Sequence, residues 1–112
     1  MNTAPVLEVA RFEITPGSEA AFEAAIGQAF VYLQQTDGYR QHQLQRCLEH
    51  PQQYLLLVQW GSLEAHLVNF RQSENFVRWR ALIGPYFARP PQVLHYQLLA
   101  GSEHPFDLNL QK

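Results

Sequence analysis

Residues 53–60, "QYLLLVQW", decide how this chain folds. The run is nearly continuous in apolar residues, which predicts a strand buried on both faces. Its clean apolar part, residues 54–58, is the longest in the chain and far too short to span a bilayer. The preceding "EHPQ" (49–52) reads as a hairpin turn, with Pro51 supplying its fixed φ. Before that turn, "YRQHQLQRCLE" (39–49) alternates with period two. Gln41, Gln43 and Gln45 share one face; His42, Leu44, Arg46 and Leu48 share the other. A hairpin is therefore predicted at the centre of the chain.

Working outward, "VLEVARFEI" (6–14) is rich in β-formers and reads as a strand, broken by Thr15-Pro16-Gly17-Ser18. Ser18 is the expected N-cap of a helix, with Glu19 favourably placed against its dipole. Phe22, Ala25, Ile26, Ala29, Phe30 and Leu33 form its apolar stripe, and Gly38 is the expected C′ residue. Ser62 is the expected cap of a short helix, 63–71, with Leu63, His66, Leu67 and Phe70 on one face. Ser73 caps a next helix in which Phe76, Trp79 and Ile83 line one face with Arg80 beside them, ended by Gly84-Pro85. A last strand is predicted over 92–100. The tail, 101–112, alternates at Phe106, Leu108 and Leu110, as a strand added to a sheet edge would. The order β-α-β-β-α-α-β predicts an α+β domain over residues 1–100, one antiparallel sheet with helices on one face.

A chain of 112 residues is one domain by length, and at 46% hydrophobic against 16% charged its polar skin is thin. The apolar strand at 53–60 points the same way: the second face of the sheet is covered. Two sheets packed face to face in a homodimer account for both. A formal net charge of −2 with no block of like charges argues against nucleic acid as partner. The opening "MNTAPVLEVA" lacks the basic-then-apolar pattern of a signal peptide. A single cysteine, Cys47, cannot form an internal disulfide and reads as a small buried apolar residue, so a cytoplasmic location is expected. No Cys/His cluster suits zinc.

An ordered set of residues carries a resemblance. Trp60 ends a strand; Ser62, "EAH" at 64–66, Phe70-Arg71, Ser73, Phe76 and Trp79 follow; "PP" at 90–91, Val93 and "HY" at 95–96 close it, and "TPGSEAAFE" (15–23) leads the first helix. Together these resemble the antibiotic biosynthesis monooxygenase family, from about residue 6 to 100. The resemblance implies a ferredoxin-like domain that dimerises sheet to sheet as a dimeric α+β barrel. It also implies cofactor-free oxidation of phenols, hydroquinones or related aromatic compounds by O₂. Quinone-forming members carry a Trp at the end of the third strand, matched by Trp60. Where they carry a Tyr six residues later, this chain has His66; where they carry an Asn four residues before the Trp, it has Leu56. Haem-degrading relatives use an Asn on the first strand, a Trp at the position of Phe70 and a haem-ligating His near Arg80. None of the three is present here, which argues against haem degradation.

The chemistry narrows the candidates. An electron-rich phenol must lose a proton before it readily gives an electron to O₂, and a base titrating near neutrality suits that step. His66 is the candidate base or hydrogen-bond partner. Trp60, Phe70 and Trp79 are candidates for the wall that holds a flat ring. Arg80 or Arg11 is the candidate to stabilise a developing phenolate, although Arg11 is equally placed to pair with Glu13 or Glu8. His42 and His95 rank below His66. No metal or flavin is required, and no phosphate-binding glycine loop is present. Against these stands the ordinary reading of His66 as a hydrogen-bonded core residue and of the aromatics as packing. A non-catalytic small-molecule-binding or interaction dimer is thus the second expectation, favoured by Leu56 and the missing Asn residues.

Overall fold

Period-two alternation sets the sheet. The computed structural model describes residues 4–101. Within them, strand β1 (Val6–Glu13) turns Glu8, Ala10 and Phe12 inward, and β3 (Gln53–Trp60) turns Tyr54, Leu56, Val58 and Trp60 inward. The two pair antiparallel from Val6↔Trp60 to Glu13↔Gln53. Strand β2 (Tyr39–Arg46) flanks β3 and β4 (Gln92–Tyr96) flanks β1, giving the order β2-β3-β1-β4. This is a ferredoxin-like antiparallel sheet. Helices α1 (Glu19–Gln34) and α2 (Glu74–Ile83) cover its inner side, α1 burying Phe22, Ile26, Ala29 and Leu33 and α2 burying Trp79 and Ile83. No helix among the described residues is long and apolar enough to cross a membrane. The strand expected of Phe106, Leu108 and Leu110 lies outside the described residues.

The central hairpin forms as expected. Gln53 N–H bonds His50 C=O at 2.8 Å and closes the turn around Pro51. Gln41, Gln43 and Gln45 lie opposite Gln59, Leu57 and Leu55 on the outer face. Leu55 and Leu57 there are half-buried, so the strand at 53–60 is fully buried on its inner side alone. The outer strand segments are shorter than predicted. β4 stops at Tyr96 because its partner residue is Leu7, one residue after β1 begins, and Pro5 has no N–H to extend the ladder. Cys47, expected in the interior, is half-buried past the end of β2, its Sγ 3.6 Å from Glu49 Oε1.

Both ends of α1 and the type of the short helix carry corrections. Ser18 makes no side-chain cap; instead Glu19 Oε1 accepts from Gly17 N–H at 3.0 Å. Helix α1 ends before Gly38: Gln35 N–H bonds Val31 C=O, and Thr36 Oγ1 donates to Tyr32 C=O at 2.8 Å. Gly38 serves instead the turn into β2, at φ +95, where a Cβ would run into the Cβ of Ala65. The predicted helix 63–71 is a π-helical segment over Ala65–Phe70, with Arg71 N–H bonding His66 C=O at 2.9 Å. Its wider turn rotates the inward face to Ala65, His66 and Phe70, and leaves Leu63 and Leu67 each 39% exposed. Ser62 and Ser73 cap as expected, accepting from Ala65 N–H (3.1 Å) and Phe76 N–H (3.3 Å).

The approach of Gly38 to Ala65 fixes the π segment against the start of β2. Gly17 has a similar φ of +90, but a Cβ there would meet nothing within 4 Å. Gly17→Ala should therefore lose only the left-handed backbone preference, about 1 kcal/mol, whereas Gly38→Ala should lose about 3 kcal/mol by denaturant unfolding. Equal losses would mean that the Ala65 contact holds nothing in place.

Candidate functional site

A cavity of about 580 Å³ lies between the inner face of the sheet and α2. Ala10, Phe12, Leu56 and Val93 come from the strands, and Phe76, Trp79, Arg80 and Ile83 from α2. A lip, residues 87–91, runs from the end of α2 to β4. Backbone bonds tie it to the end of β1: Thr15 N–H to Tyr86 C=O at 2.9 Å, and Ala88 N–H to Glu13 C=O at 2.7 Å. The Phe87 ring stacks on Phe12 with centroids 5.2 Å apart. The lining is largely apolar except at one end, where Glu8 and His66 reach it, and at the rim, where Arg71, Arg80 and Arg89 do.

The polar end is built from four elements. Glu8 sits at an inward position of β1 and is only 6% exposed. Trp60, the last residue of β3, donates its indole Nε1–H to Glu8 Oε1 at 2.9 Å. His66, from the π segment and 2% exposed, brings Nε2 to 3.3 Å from the same oxygen. Its Nδ1 lies 2.7 Å from Nε2 of His95 on β4. With Glu8 ionised and both rings neutral, the carboxylate oxygen 3.3 Å from His66 Nε2 favours a proton on that nitrogen, so His66 Nδ1 accepts from His95 Nε2–H. The His66 ring stacks on Trp60 at 5.3 Å, and Phe70 packs behind them, 5.7 Å from Trp60.

Burial sets the protonation of this group. Glu8 is pushed up to about 7, chiefly by burial, opposed by the Trp60 N–H and by the positive charge of Arg71. His66 is pushed down to about 3, chiefly by burial, then by His95 and Arg71. His95 is lowered by burial and then by Arg71. The contact between His66 and Glu8 is therefore that of a neutral imidazole beside a carboxyl group, not an ion pair. Titration near neutrality, the property sought in His66, belongs to Glu8.

The expected site residues divide into two layers. His66, Trp79 and Arg80 reach the cavity lining, while Trp60 and Phe70 are buried behind it and hold His66 and Glu8 in place. Leu56 is on the lining. Arg11 alternates to the outer face of the sheet and is not in this cavity. Its suggested acidic partners are engaged elsewhere, Glu8 by His66 and Glu13 by Arg89 at 3.0 Å. His42 packs on Phe30 at 4.0 Å. Sequence reasoning missed Glu8 and Arg71. The signal for Glu8 was its parity, since Glu8, Ala10, Phe12 and Ile14 alternate on one face of β1. Arg71 is brought in by the π turn, with its guanidinium 4.9 Å from the Phe76 ring. Among the described residues no group of three or more His, Cys, Asp or Glu side chains is arranged to hold a metal ion. Glu8, His66 and His95 form a line rather than converging on a point.

These shifts make stability depend on pH in opposite senses. The raised pKa of Glu8 contributes stability fully present below 4.5 and lost as pH rises through about 7. The lowered pKa of His66 contributes stability present above 6.5 and lost as pH falls through about 3. The two cancel between 4.5 and 6.5, so the wild-type melting temperature should be flat there and fall on both sides. Glu8→Gln should leave only the acid-side loss. His66→Gln should leave only the loss toward neutral pH, about 3 kcal/mol. Unaltered profiles in both variants would refute this account.

Comparison with known proteins agrees with the architecture. Residues 5–82 match the antibiotic biosynthesis monooxygenase family. YczJ of Bacillus subtilis is 39% identical over 92 residues, 82% of this chain and 97% of that protein. The crystal structure of a putative antibiotic biosynthesis monooxygenase from Bordetella bronchiseptica superposes with a TM-score of 0.84 at 41% identity, covering 87% of this chain and 99% of that one. SnoaB, a cofactor-independent oxygenase from Streptomyces nogalater, shares the fold with a TM-score of 0.77 at 16% identity, over 89% of this chain and 98% of its own. The match over residues 5–82 and the two close relatives make this chain a member of the antibiotic biosynthesis monooxygenase family.

Proposed function

We propose that the protein is a cofactor-independent monooxygenase that oxidises a small electron-rich aromatic, a quinol or phenol, with O₂. The observation that carries this reading is the cavity itself: a slot walled by apolar and aromatic side chains, with a buried carboxylate–imidazole contact at one end and arginines at its rim. Its volume suits a compact ring system. Trp79 and Phe76 offer ring faces, and Trp60 and Phe70 back His66 from behind. Arg71 and Arg80 have no carboxylate within ion-pair distance among the described residues, which leaves both available to a developing phenolate. The balance is simple. A phenol plus O₂ gives a quinone and water; the ring supplies all four electrons, one oxygen atom enters it and the other leaves as water. The relationship to SnoaB supports this reading.

The same reading includes a cytoplasmic homodimer joined through the outer sheet faces. Leu7, Val9, Leu55, Leu57, Leu94 and Tyr96 lie on that face, and Leu94 and Tyr96 are 46% and 50% exposed. Light scattering at micromolar concentration should give twice the chain mass; a monomer would refute it.

A second reading, a binding protein without chemistry, is favoured by Leu56, an apolar side chain on the lining where quinone-forming relatives use an Asn. Oxygen uptake separates the two. Purified protein without added cofactor should consume O₂ above the autoxidation rate with one or more of a set of hydroquinones, catechols and naphthols. Val93→Phe, which fills the slot from β4, should cut that rate at least about tenfold while the fold persists. Ring compounds that quench tryptophan fluorescence with no O₂ uptake would leave the binding protein as the answer.

A further inference from the structure

We infer that Glu8 is the group that accepts the substrate's hydroxyl proton, and that His66 and His95 are positioning residues that hold its carboxylate ready. This rests on reading the cavity as a site for phenols. The argument is one of available lone pairs. Nδ1 of His66 is hydrogen-bonded to His95 Nε2 at 2.7 Å, and its Nε2 lies 3.3 Å from Glu8 Oε1. With Nδ1 accepting from His95, the proton of the neutral ring sits on Nε2 beside the carboxylate, so His66 has no lone pair to offer a substrate without breaking the His95 contact. Glu8 Oε1 accepts from Trp60 Nε1–H at 2.9 Å and has His66 Nε2 beside it at 3.3 Å. Glu8 Oε2 makes no hydrogen bond with the described residues. No buried side-chain oxygen or nitrogen among them lacks a partner, so Oε2 is the oxygen in contact with the cavity. The raised pKa of Glu8 matches the task.

The step balances as an acid–base transfer. The substrate O–H bond breaks, its electron pair stays on the substrate oxygen, and the proton goes to Glu8 Oε2. O₂ is the oxidant that follows, and the proton later leaves with the oxygen atom that becomes water. The groups facing Glu8 are His66 from the π segment, His95 from β4, Trp60 from β3 and Arg71, with Arg80 of α2 and Arg89 of the lip at the cavity rim.

The test needs no turnover. A naphthol is titrated into the full-length protein without oxygen, with tryptophan quenching as readout, across a pH range in which the naphthol stays un-ionised. As Glu8 loses its proton it becomes a hydrogen-bond acceptor, so wild-type affinity should rise several-fold between about pH 5.5 and about pH 8.5. Glu8→Gln should bind with no pH response; His66→Gln should keep the response. With O₂ admitted, kcat in Glu8→Gln should fall about 100-fold or more. A pH response that survives in Glu8→Gln, one lost in His66→Gln alone, or a wild type that is pH-independent or does not bind overturns the inference. A response lost in Glu8→Gln with no wild-type O₂ uptake instead supports the role of Glu8 and refutes the oxidation.

Discussion

A carboxylate buried in the inner face of the sheet is the constraint on which the site depends. Burying an ionised carboxylate is costly unless it is paired and hydrogen-bonded. The indole N–H of Trp60 offsets part of that cost by donating to Glu8 Oε1, and the neutral ring of His66 sets its Nε2 3.3 Å from the same oxygen. Each comes from a different element, so the β1–β3 register and the placement of the π segment are both tied to Glu8. Val58 is the register partner of Glu8, and Trp60 reaches it diagonally from two residues further along. A one-residue slip would turn Glu8 to the outer face and leave the indole N–H buried without an acceptor.

The π segment solves a problem of direction. His66 must lie inward to meet Glu8 and His95, while Arg71, five residues on, must reach the cavity. In an α-helix residues five apart are about 140° apart around the axis; the wider π turn brings them to within roughly 50°. The bond from Arg71 N–H to His66 C=O is that wide turn, and it carries the two side chains to one side. Gly38 leaves room for Ala65 at the start of the segment, so a missing side chain on one element permits an irregular turn in another.

Strands and helices were legible in the sequence because the apolar pattern carries them. The alternation of 39–46 and the stripe through Phe22, Ile26, Ala29 and Leu33 have one physical solution each. The π segment was not legible: Leu63, His66, Leu67 and Phe70 fit an α-helical face, and the spacing gives no sign that the turn widens. The aromatic wall was legible as a group but not as layers, since nothing local tells whether Trp60 faces ligand or supports what does. Glu8 was half-legible. Its parity puts it inside, but a lone acid in a strand is more often paired at a sheet surface, and its neighbours Trp60 and His66 are 52 and 58 residues away. His95 joins the same cluster from the opposite end of the chain.

Charge accounting favours the carboxylate over the imidazole as proton acceptor. If His66 took the proton, two neutral groups would become an imidazolium and a phenolate at the buried end of the cavity, with a base whose own pKa lies near 3. If Glu8 takes it, no new charge is created. The negative charge moves from Glu8 to the substrate oxygen, and so toward Arg71 and Arg80 at the rim. In a site of low polarity, moving a charge toward fixed cations costs far less than separating a new pair. The same burial that depresses His66 raises Glu8, so one environment keeps the imidazole neutral and makes the carboxylate a base matched to neutral pH.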